Sequence, residues 1–310
     1  MSGRKHHYIP RFLQKGFASR ISGKQAYAWV FKRIGDPFES NTEGIGAERD
    51  FYTRDGNSEA DEIITRQEIE FNDTLNRLKG GDLSNVDVQK ICELIIHFQT
   101  RTKWIREIFE KDSHSLFARV VEHFKTDEYI ERFIDVMITN GSGPINRELG
   151  KISSVYRSLG LSKNAARKLM IDYQRKSRAE LATAMKIWIE NMWLRTPRIF
   201  AEAVKNAHIN AQKAEISDSE RLKAYSQLDF RILHSASAKF ILSDCIVVSM
   251  LKSPPRYTAI WSREESLDAI ALPISSTACL IGSFGICDIS EAQINIGSAR
   301  LADQFFISSQ

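Results

Sequence analysis

Apolar and polar positions alternate in two rhythms along the chain, and the changes of rhythm divide it. Between Gln25 and Arg33, QAYAWVFKR alternates with aromatic enrichment, the two-residue period of a half-buried strand. GAERDFYTRDG, residues 46–56, reads as its partner and ends at the Asp55-Gly56 turn. From about residue 59 the period becomes helical. Ser58 is placed to cap a helix over 59–79, and Gly80-Gly81 stops it. A second helix is expected over 86–111 from a cap at Ser84 or Asn85, with Ile91, Leu94, Ile95, Phe98 and Ile105 on one stripe. More helices follow near 114–139, 145–159, 162–173 (opened by Ser162) and 176–210. Trp188 and Trp193 lie in the last, which Pro197 should bend or split.

The texture then changes to β-branched and aromatic runs: LDFRILHS (228–235), AKFILSDCIVVSM (238–250), RYTAIW (256–261), ALPIS (271–275) and TACLIGSFGIC (277–287). They amount to four to six strands before a final helix over about 290–305. The reading is α+β: an N-terminal β-hairpin, a mostly helical middle, and a β-rich C-terminal part closed by a helix. No low-complexity linker separates these parts, so one interlocked domain over 1–310 is expected. Its sub-regions are 1–57, 58–225 and 226–310.

Composition changes the picture only modestly. An apolar fraction of 43% with 26% charged residues belongs to a soluble globular protein. AIALPISSTACLIGSFGIC, residues 269–287, is free of charge, yet Pro273, Gly282, Gly285 and its hydroxyl residues suit two short buried strands better than a membrane span. The basic start never runs into an apolar stretch, so no secretory signal is read, and a cytoplasmic location is expected. Cys92, Cys245, Cys279 and Cys287 stand apart without a CxxC pair and read as buried free thiols. A net charge of +4 does not by itself imply nucleic acid. Its distribution is more telling: residues 1–35 hold eight Lys and Arg and no acid, a block that attracts phosphate or is simply a solvated face.

That block contains HHYIPRFLQKGF, residues 6–17. Pro10 suits the first position of a short helix over 10–17, with His6 and His7 in its extended lead-in. Tyr8, Ile9, Phe12, Leu13 and Phe17 give the stretch more apolar surface than a tail needs. It should therefore pack on the body and present His6, His7 and Arg11 to a pocket. Neighbouring side chains of an extended segment point to opposite sides, so one histidine faces the pocket while the other contacts backbone. A helix start, a guanidinium and an imidazole together suit an anion, and imidazole can also move a proton. The competing reading is that both histidines only hydrogen-bond and cap.

Three other groups carry candidate chemistry. In EADEIITRQEIEFNDTL, Asp61 and Glu68 lie two turns apart on one helix face with Ile64, and Glu68 is the favoured acid. Its alternative is an ion pair with Arg101 or Arg11. In HFQTRTKWIR, Arg101 falls at the edge of the apolar stripe and His97 further out, which suits a phosphate clamp or a structural salt bridge. Ser243-Asp244 follows an apolar run at a strand end, where a carboxylate would be rigidly held. Tyr52 is a candidate substrate contact. His6, His7, Glu68 and Asp244 form the candidate catalytic set, and Arg11, Arg101, Tyr52 and Ser243 the candidate substrate-binding set. His7, Glu68 and Asp244 could hold Mg²⁺, Mn²⁺ or Zn²⁺.

HHYIPRFLQKGF, ERDFYT, the acidic helix, the Arg-Thr of FQTRTKWIR, ILSDCIVV, ALPIS and Asn295 together resemble the family catalogued as domain of unknown function 4238. Where that family's pattern reads Ser-Asp-Asn-Pro, this chain has Ser243-Asp244-Cys245-Ile246. The resemblance implies one extended domain with a shared set of polar positions, and no particular reaction. The His-His-x-x-Pro start is similar to the opening of the HNH nuclease motif, but it leads into a helix and lacks the motif's following Asn/His pair. Walker, GxGxxG, GxSxG and HExxH patterns are absent. Two functions follow as expectations. One is a phosphodiester-cleaving, nuclease-like enzyme, acting as a toxin or anti-phage defence effector, with a His/Glu/Asp pocket and arginine clamps. The other is a non-catalytic module binding a phosphate-bearing ligand or a protein partner, with Tyr8, Phe12, Phe17, Trp29 and Tyr52 as an aromatic surface.

Overall fold

The apolar runs of the C-terminal third form the centre of a five-stranded antiparallel sheet. The computed structural model of the chain describes residues 5–53, 59–140, 150–213, 220–237, 239–285 and 288–310. The sheet holds β6 (Asp229–His234), β8 (Val248–Lys252), β9 (Pro255–Thr258), β10 (Leu267–Ser275) and β11 (Ala278–Ser283), in the order β6-β11-β10-β8-β9. β10 and β11 are a hairpin buried on both faces, which explains their near-continuous hydrophobicity. The uncharged stretch at 269–287 thus contains two strands within 267–283, and among the described residues no helix is long and apolar enough to cross a membrane.

A second sheet is built from both ends of the chain. β3 (Gln25–Lys32) pairs with β2 (Arg20–Ser22) and β12 (Phe305–Ser308) along one edge and with β4 (Phe38–Asn41) along the other. β12 pairs in turn with the two-residue β7 (Leu242–Ser243). The N-terminal hairpin is therefore β2–β3. The stretch at 46–56 is not its partner: β5 (Ala47–Arg49) pairs instead with β1 (Lys5–His7). The last helix, α10 (Glu291–Leu301), starts at a capping box of Ser290 and Gln293 and is shorter than expected, because the chain turns at 302–304 into β12. Within 238–250, residues 244–247 interrupt pairing between β7 and β8.

The helices mostly fall where the periodicity puts them, with different boundaries. α1 (Arg11–Gln14) runs into a 3₁₀ turn, Lys15–Phe17, and Pro10 precedes it as N-cap, with extended backbone at ψ 136°. α2 spans Glu59–Lys79. The helix expected over 86–111 is two helices, α3 (Val88–Arg101) and α4 (Lys103–Phe124), parted where Thr102 takes φ −66° and ψ 152°. Asp87 caps α3, its carboxylate accepting from Gln89 N at 2.9 Å, in place of Ser84 or Asn85. α5 (Asp127–Asn140), α6 (Ser153–Ser158) and α7 (Lys163–Lys176) follow, and Ser162 caps α7. α8 (Arg178–Lys213) continues unbroken through Pro197, and α9 (Glu220–Tyr225) leads into β6. The expected cap at Ser58, the turn at Asp55-Gly56, Cys287 and the start of the helix at 145–159 lie outside the described residues.

The chain divides into two compact units. One comprises Met1–Phe109 and Val204–Gln310 and holds both large sheets around one core that includes Leu13, Phe17, Leu75, Phe98, Phe240 and Leu272. The other, Glu110–Ala203, is helical, with small cores at Ile130–Ile134 and Tyr156–Ala166.

The N-terminal motif is fixed to the first unit by backbone. Tyr8 N and Ile9 N both donate to Gly46 O, at 2.8 and 3.2 Å. The buried Gln14 amide donates to Ile9 O and Ile45 O, at 2.7 and 3.0 Å. Ser276 N, in the β10–β11 turn, donates to Gly16 O at 2.9 Å. Gly46 has φ +59°, and a Cβ there would lie 2.8 Å from the buried Ile9 side chain. Gly46→Ala should therefore cost about 2–4 kcal/mol, combining left-handed strain with overpacking. Gly23 shares φ +59°, but a Cβ there would meet nothing within 4 Å, so Gly23→Ala should cost only about 1 kcal/mol. Urea unfolding of the two variants measures the difference, and equal losses would deny the close approach.

Candidate functional site

Two walls enclose a cavity of about 420 Å³ in the first unit. The N-terminal motif supplies Lys5, His6, His7, Arg11, Phe12 and Lys15. The facing wall is one face of α2, Asp61, Ile64, Thr65 and Glu68 at successive helical turns, with Tyr52 and Arg101.

Arg101 lies at the centre of its polar network and is only 2% exposed, well inside the core edge assigned to it by periodicity. Its guanidinium pairs with Glu68, donates to His7 O from Nη2 and Nε at 2.5 and 3.2 Å, and reaches His97 Nε2 from Nη1 at 3.2 Å. It also stands 5.4 Å from the Tyr52 ring, a cation–π arrangement. With every edge engaged, Arg101 is a structural clamp, and the ion pair is the second of the two readings open to Glu68. His97 is buried rather than peripheral, and burial, reinforced by Arg101, drives its pKa well below the ordinary value. Burial likewise pushes the Tyr52 hydroxyl up to about 12.

The two histidines differ in their ties. His6 is buried; its Nδ1 accepts from Tyr52 N at 3.1 Å, which leaves the proton on Nε2, 3.4 Å from Thr53 Oγ1 and 3.6 Å from Asp61 Oδ1. His7 Nε2 is buried and has no hydrogen-bond partner. Burial lowers the His7 pKa to about 4; a hydrogen bond to the Glu43 backbone opposes this, while Arg11, Lys5 and Arg101 add to it. His7 is thus a neutral imidazole at pH 7 with an unused nitrogen. Arg11 has Nη2 on Glu43 Oε1 at 2.9 Å, but its Nε is buried without a partner.

Asp244 and Ser243 do not line this cavity. The Asp244 carboxylate accepts from Asp303 N at 2.8 Å and from Gln304 N and Phe305 N at 2.7 and 3.3 Å, capping the turn that launches β12. Burial nevertheless raises its pKa. Ser243 is fully buried in β7. The proposed ligand set His7, Glu68 and Asp244 is therefore not gathered, and among the described residues no group of three or more His, Cys, Asp or Glu is disposed to hold a metal. Cys92, Cys245 and Cys279 are buried free thiols, and burial raises the pKa of each.

Much of the basic block is committed internally. Arg20 pairs with Glu39 at 2.8 Å, and Arg33 donates to Ala302 O at 3.0 Å, leaving Lys5 and Lys15 exposed at the cavity. Of the aromatic residues, Tyr8, Phe17 and Tyr52 are core, Phe12 lines the cavity and Trp29 is partly exposed. Gln14, Glu43 and Thr65 complete the surroundings. Neither charge nor period singles them out, and only the i, i+4 spacing of Thr65 from Asp61 offers a signal.

A family model described as "Protein of unknown function (DUF4238)" matches residues 5–305. The chain belongs to this family. No curated protein and no solved structure matches it. Membership in DUF4238 is carried by the whole span from the first histidine to β12, which includes both walls of the cavity.

Two outcomes follow from these contacts. Glu68→Gln should destabilise the protein by about 2–4 kcal/mol by leaving Arg101 buried without its counter-charge, and the double variant with Arg101→Leu should lose less than the sum of the two single losses. Denaturant unfolding of the single and double variants tests this; strictly additive losses would show that the pair is not coupled. Acid should also destabilise the fold before its carboxylates titrate. Unfolded histidine takes its proton near pH 6.5, whereas His7 and His208 stay neutral until about 4. Between those values the unfolded chain binds more protons, so stability is full above about pH 6.5 and falls as pH drops toward 4. His208, whose Nε2 donates to Thr100 O at 2.7 Å, is the cleaner reporter. Thermal unfolding from pH 7 to 4 should show a shallower decline for His208→Gln.

Proposed function

We propose that the cavity binds a phosphate-bearing ligand. The supporting observation is its cationic wall: Lys5, Arg11 and Lys15 flank one rim, and Arg11 retains a buried Nε–H without a partner. A guanidinium with spare donors and flexible lysines at a rim is the arrangement that grips a phosphate without sequence or shape demands elsewhere. With Arg101 engaged by Glu68 and by backbone, this reading gives phosphate contact to Arg11 and the lysines.

A second reading, phosphodiester cleavage, is favoured by His7. Its unpartnered neutral Nε2 suits a general base. In that reaction Nε2 would take a proton from water as the water oxygen bonds to phosphorus. The bond from phosphorus to the leaving oxygen breaks, and that oxygen is protonated by solvent. A bound anion offsets the nearby cations and raises the His7 pKa, bringing the base closer to neutral pH. Glu68 and Asp61 would orient the attacking water.

Sulfate is a suitable probe because its charge does not change between pH 5 and 8. Its affinity, read by calorimetry, should rise as pH falls from 7.5 to 5.5, by up to about tenfold per pH unit for one coupled proton. His7→Gln should flatten that dependence, and Lys15→Ala with Arg11→Gln should abolish binding. Failure of wild type to bind sulfate or phosphate at any pH would reject the proposal. Incubation with RNA, single-stranded and duplex DNA, with Mg²⁺, Mn²⁺ or EDTA, separates the second reading. Cleavage lost in His7→Gln supports it, and no cleavage on any substrate rejects it.

A further inference from the structure

We infer that β6 pairs edge to edge with β6 of a second copy of the chain, carrying one sheet across a two-fold axis at Ile232. This goes beyond the phosphate-binding reading and does not depend on it. β6 is an outer strand of the sheet β6-β11-β10-β8-β9. Its register with β11 runs without a shift from Asp229 opposite Ser283 to His234 opposite Ala278. One step further, Ser235 N donates to Thr277 O at 2.8 Å, so 235 and 277 form a hydrogen-bonded pair. Such pairs alternate along an antiparallel ladder and recur at Leu233, Arg231 and Asp229. The N–H and C=O groups of Phe230, Ile232 and His234 therefore point to the open edge. Among the described residues, none of these groups has a hydrogen-bond partner. Phe230 lies back over Gly282, where a Cβ would come within 2.6 Å of its Cε1, so the ring turns away from the edge.

An exposed edge strand is a template for pairing unless it is short, bulged, interrupted by proline or covered. β9, at the other side of the sheet, has four residues, begins at Pro255 and carries Arg256. β6 has six residues with neither proline nor bulge. A second copy fits this edge because the outward residues are symmetric about Ile232. Antiparallel pairing centred there sets Ile232 against Ile232 and Phe230 against His234 of the copy, engaging every outward N–H and C=O. A slip of two residues in either direction engages only two of the three outward residues on each strand. In one direction it also sets Arg231 against Arg231. In the favoured register Arg231 faces Leu233 of the copy, and no like charges meet.

Sedimentation velocity of the full chain over a range of concentrations should show a monomer–dimer equilibrium. Ile232→Pro removes an N–H that serves only the outer edge, so it should return the chain to monomer while the ladder to β11 persists. Charge tests the register. Leu233→Glu places an acid against Arg231 of the copy and Leu233→Lys a second cation, each twice by symmetry. The first variant should therefore dimerise about tenfold more tightly than the second. Should these variants fail to fold, hydrogen exchange of the wild type carries the test. The amides of Phe230, Ile232 and His234 should gain protection as concentration rises, whereas those of Asp229, Arg231 and Leu233 are protected throughout. A chain monomeric at every concentration overturns the inference and leaves the edge to a strand of another protein. A dimer indifferent to Ile232→Pro, or one whose outward amides exchange as fast as in the monomer, places the contact elsewhere and also overturns it. Equal dimerisation of the two Leu233 variants overturns the register and with it the axis at Ile232.

Discussion

A guanidinium buried to 2% exposure must be fully paired, and the way Arg101 meets that requirement organises the first unit. Its partners come from three places in the chain: His7 O in β1, Glu68 in α2, and His97 one turn back in α3. Of these, the contact to His7 O fixes the shortest element. β1 is three residues long, and its other ladder is the equally short β5. Anchoring the His7 carbonyl therefore sets where the His7 side chain stands. Helix α3 also breaks beside Arg101, at Thr102. Ending α3 at Arg101 lets its backbone carbonyl meet the Tyr52 hydroxyl at 3.5 Å instead of continuing the helical ladder.

Chain ends close the rest of the unit. β12 lies between β3 from the first forty residues and β7 from the C-terminal third, so β7 joins the second sheet only through β12. Asp244 supports this closure by accepting three successive backbone N–H groups at 303–305. Without those acceptors the turn would bury unpaired donors, each costing about 1–3 kcal/mol. Ile246, two residues on, has φ +62°, a conformation that a β-branched residue rarely takes. The Ser-Asp-Cys-Ile stretch is thus held by packing and by the Asp244 contacts against local strain, and its polar group serves the sheet, not the cavity.

The legible parts of the fold are those with strong period. The strand at 25–33, the helix at 59–79, the cap at Ser162 and the hairpin within 269–287 all show in the pattern, as does the α+β class. What stays hidden depends on pairing partners. β5 reads like a mate for β3, but nothing local distinguishes β3 from β1 as its neighbour; the choice is made by Gly46, whose carbonyl receives Tyr8 and Ile9. β12 merges with the final helix in the pattern because FFIS is too short to show a period. In the site, His7, Arg11, Asp61, Glu68 and Arg101 can be singled out as polar residues on otherwise apolar faces. The same rule selects Asp244, because a carboxylate at a strand end looks alike whether it faces a ligand or caps a turn. The depth of Arg101 and His97 escapes the pattern for a related reason: helical angle gives direction but not what lies opposite.

The electrostatic state of His7 joins the clamp to the cavity. Three cations near one imidazole would ordinarily be an arrangement to avoid. Here burial and those cations keep the ring neutral, with a pKa of about 4, and the Glu43 backbone fixes which nitrogen is left unused. The arrangement costs stability only if the ring must be protonated, which it is not at pH 7. In the proposed phosphate-binding reading, an anion beside Arg11 would offset part of the field of these cations at His7, so ligand charge and ring protonation would favour one another. The facing acids on α2 cannot play this part, because Glu68 is already neutralised by Arg101. The cavity therefore holds its positive charge on one wall and its acceptors on the other, kept apart by the same guanidinium that secures the first strand.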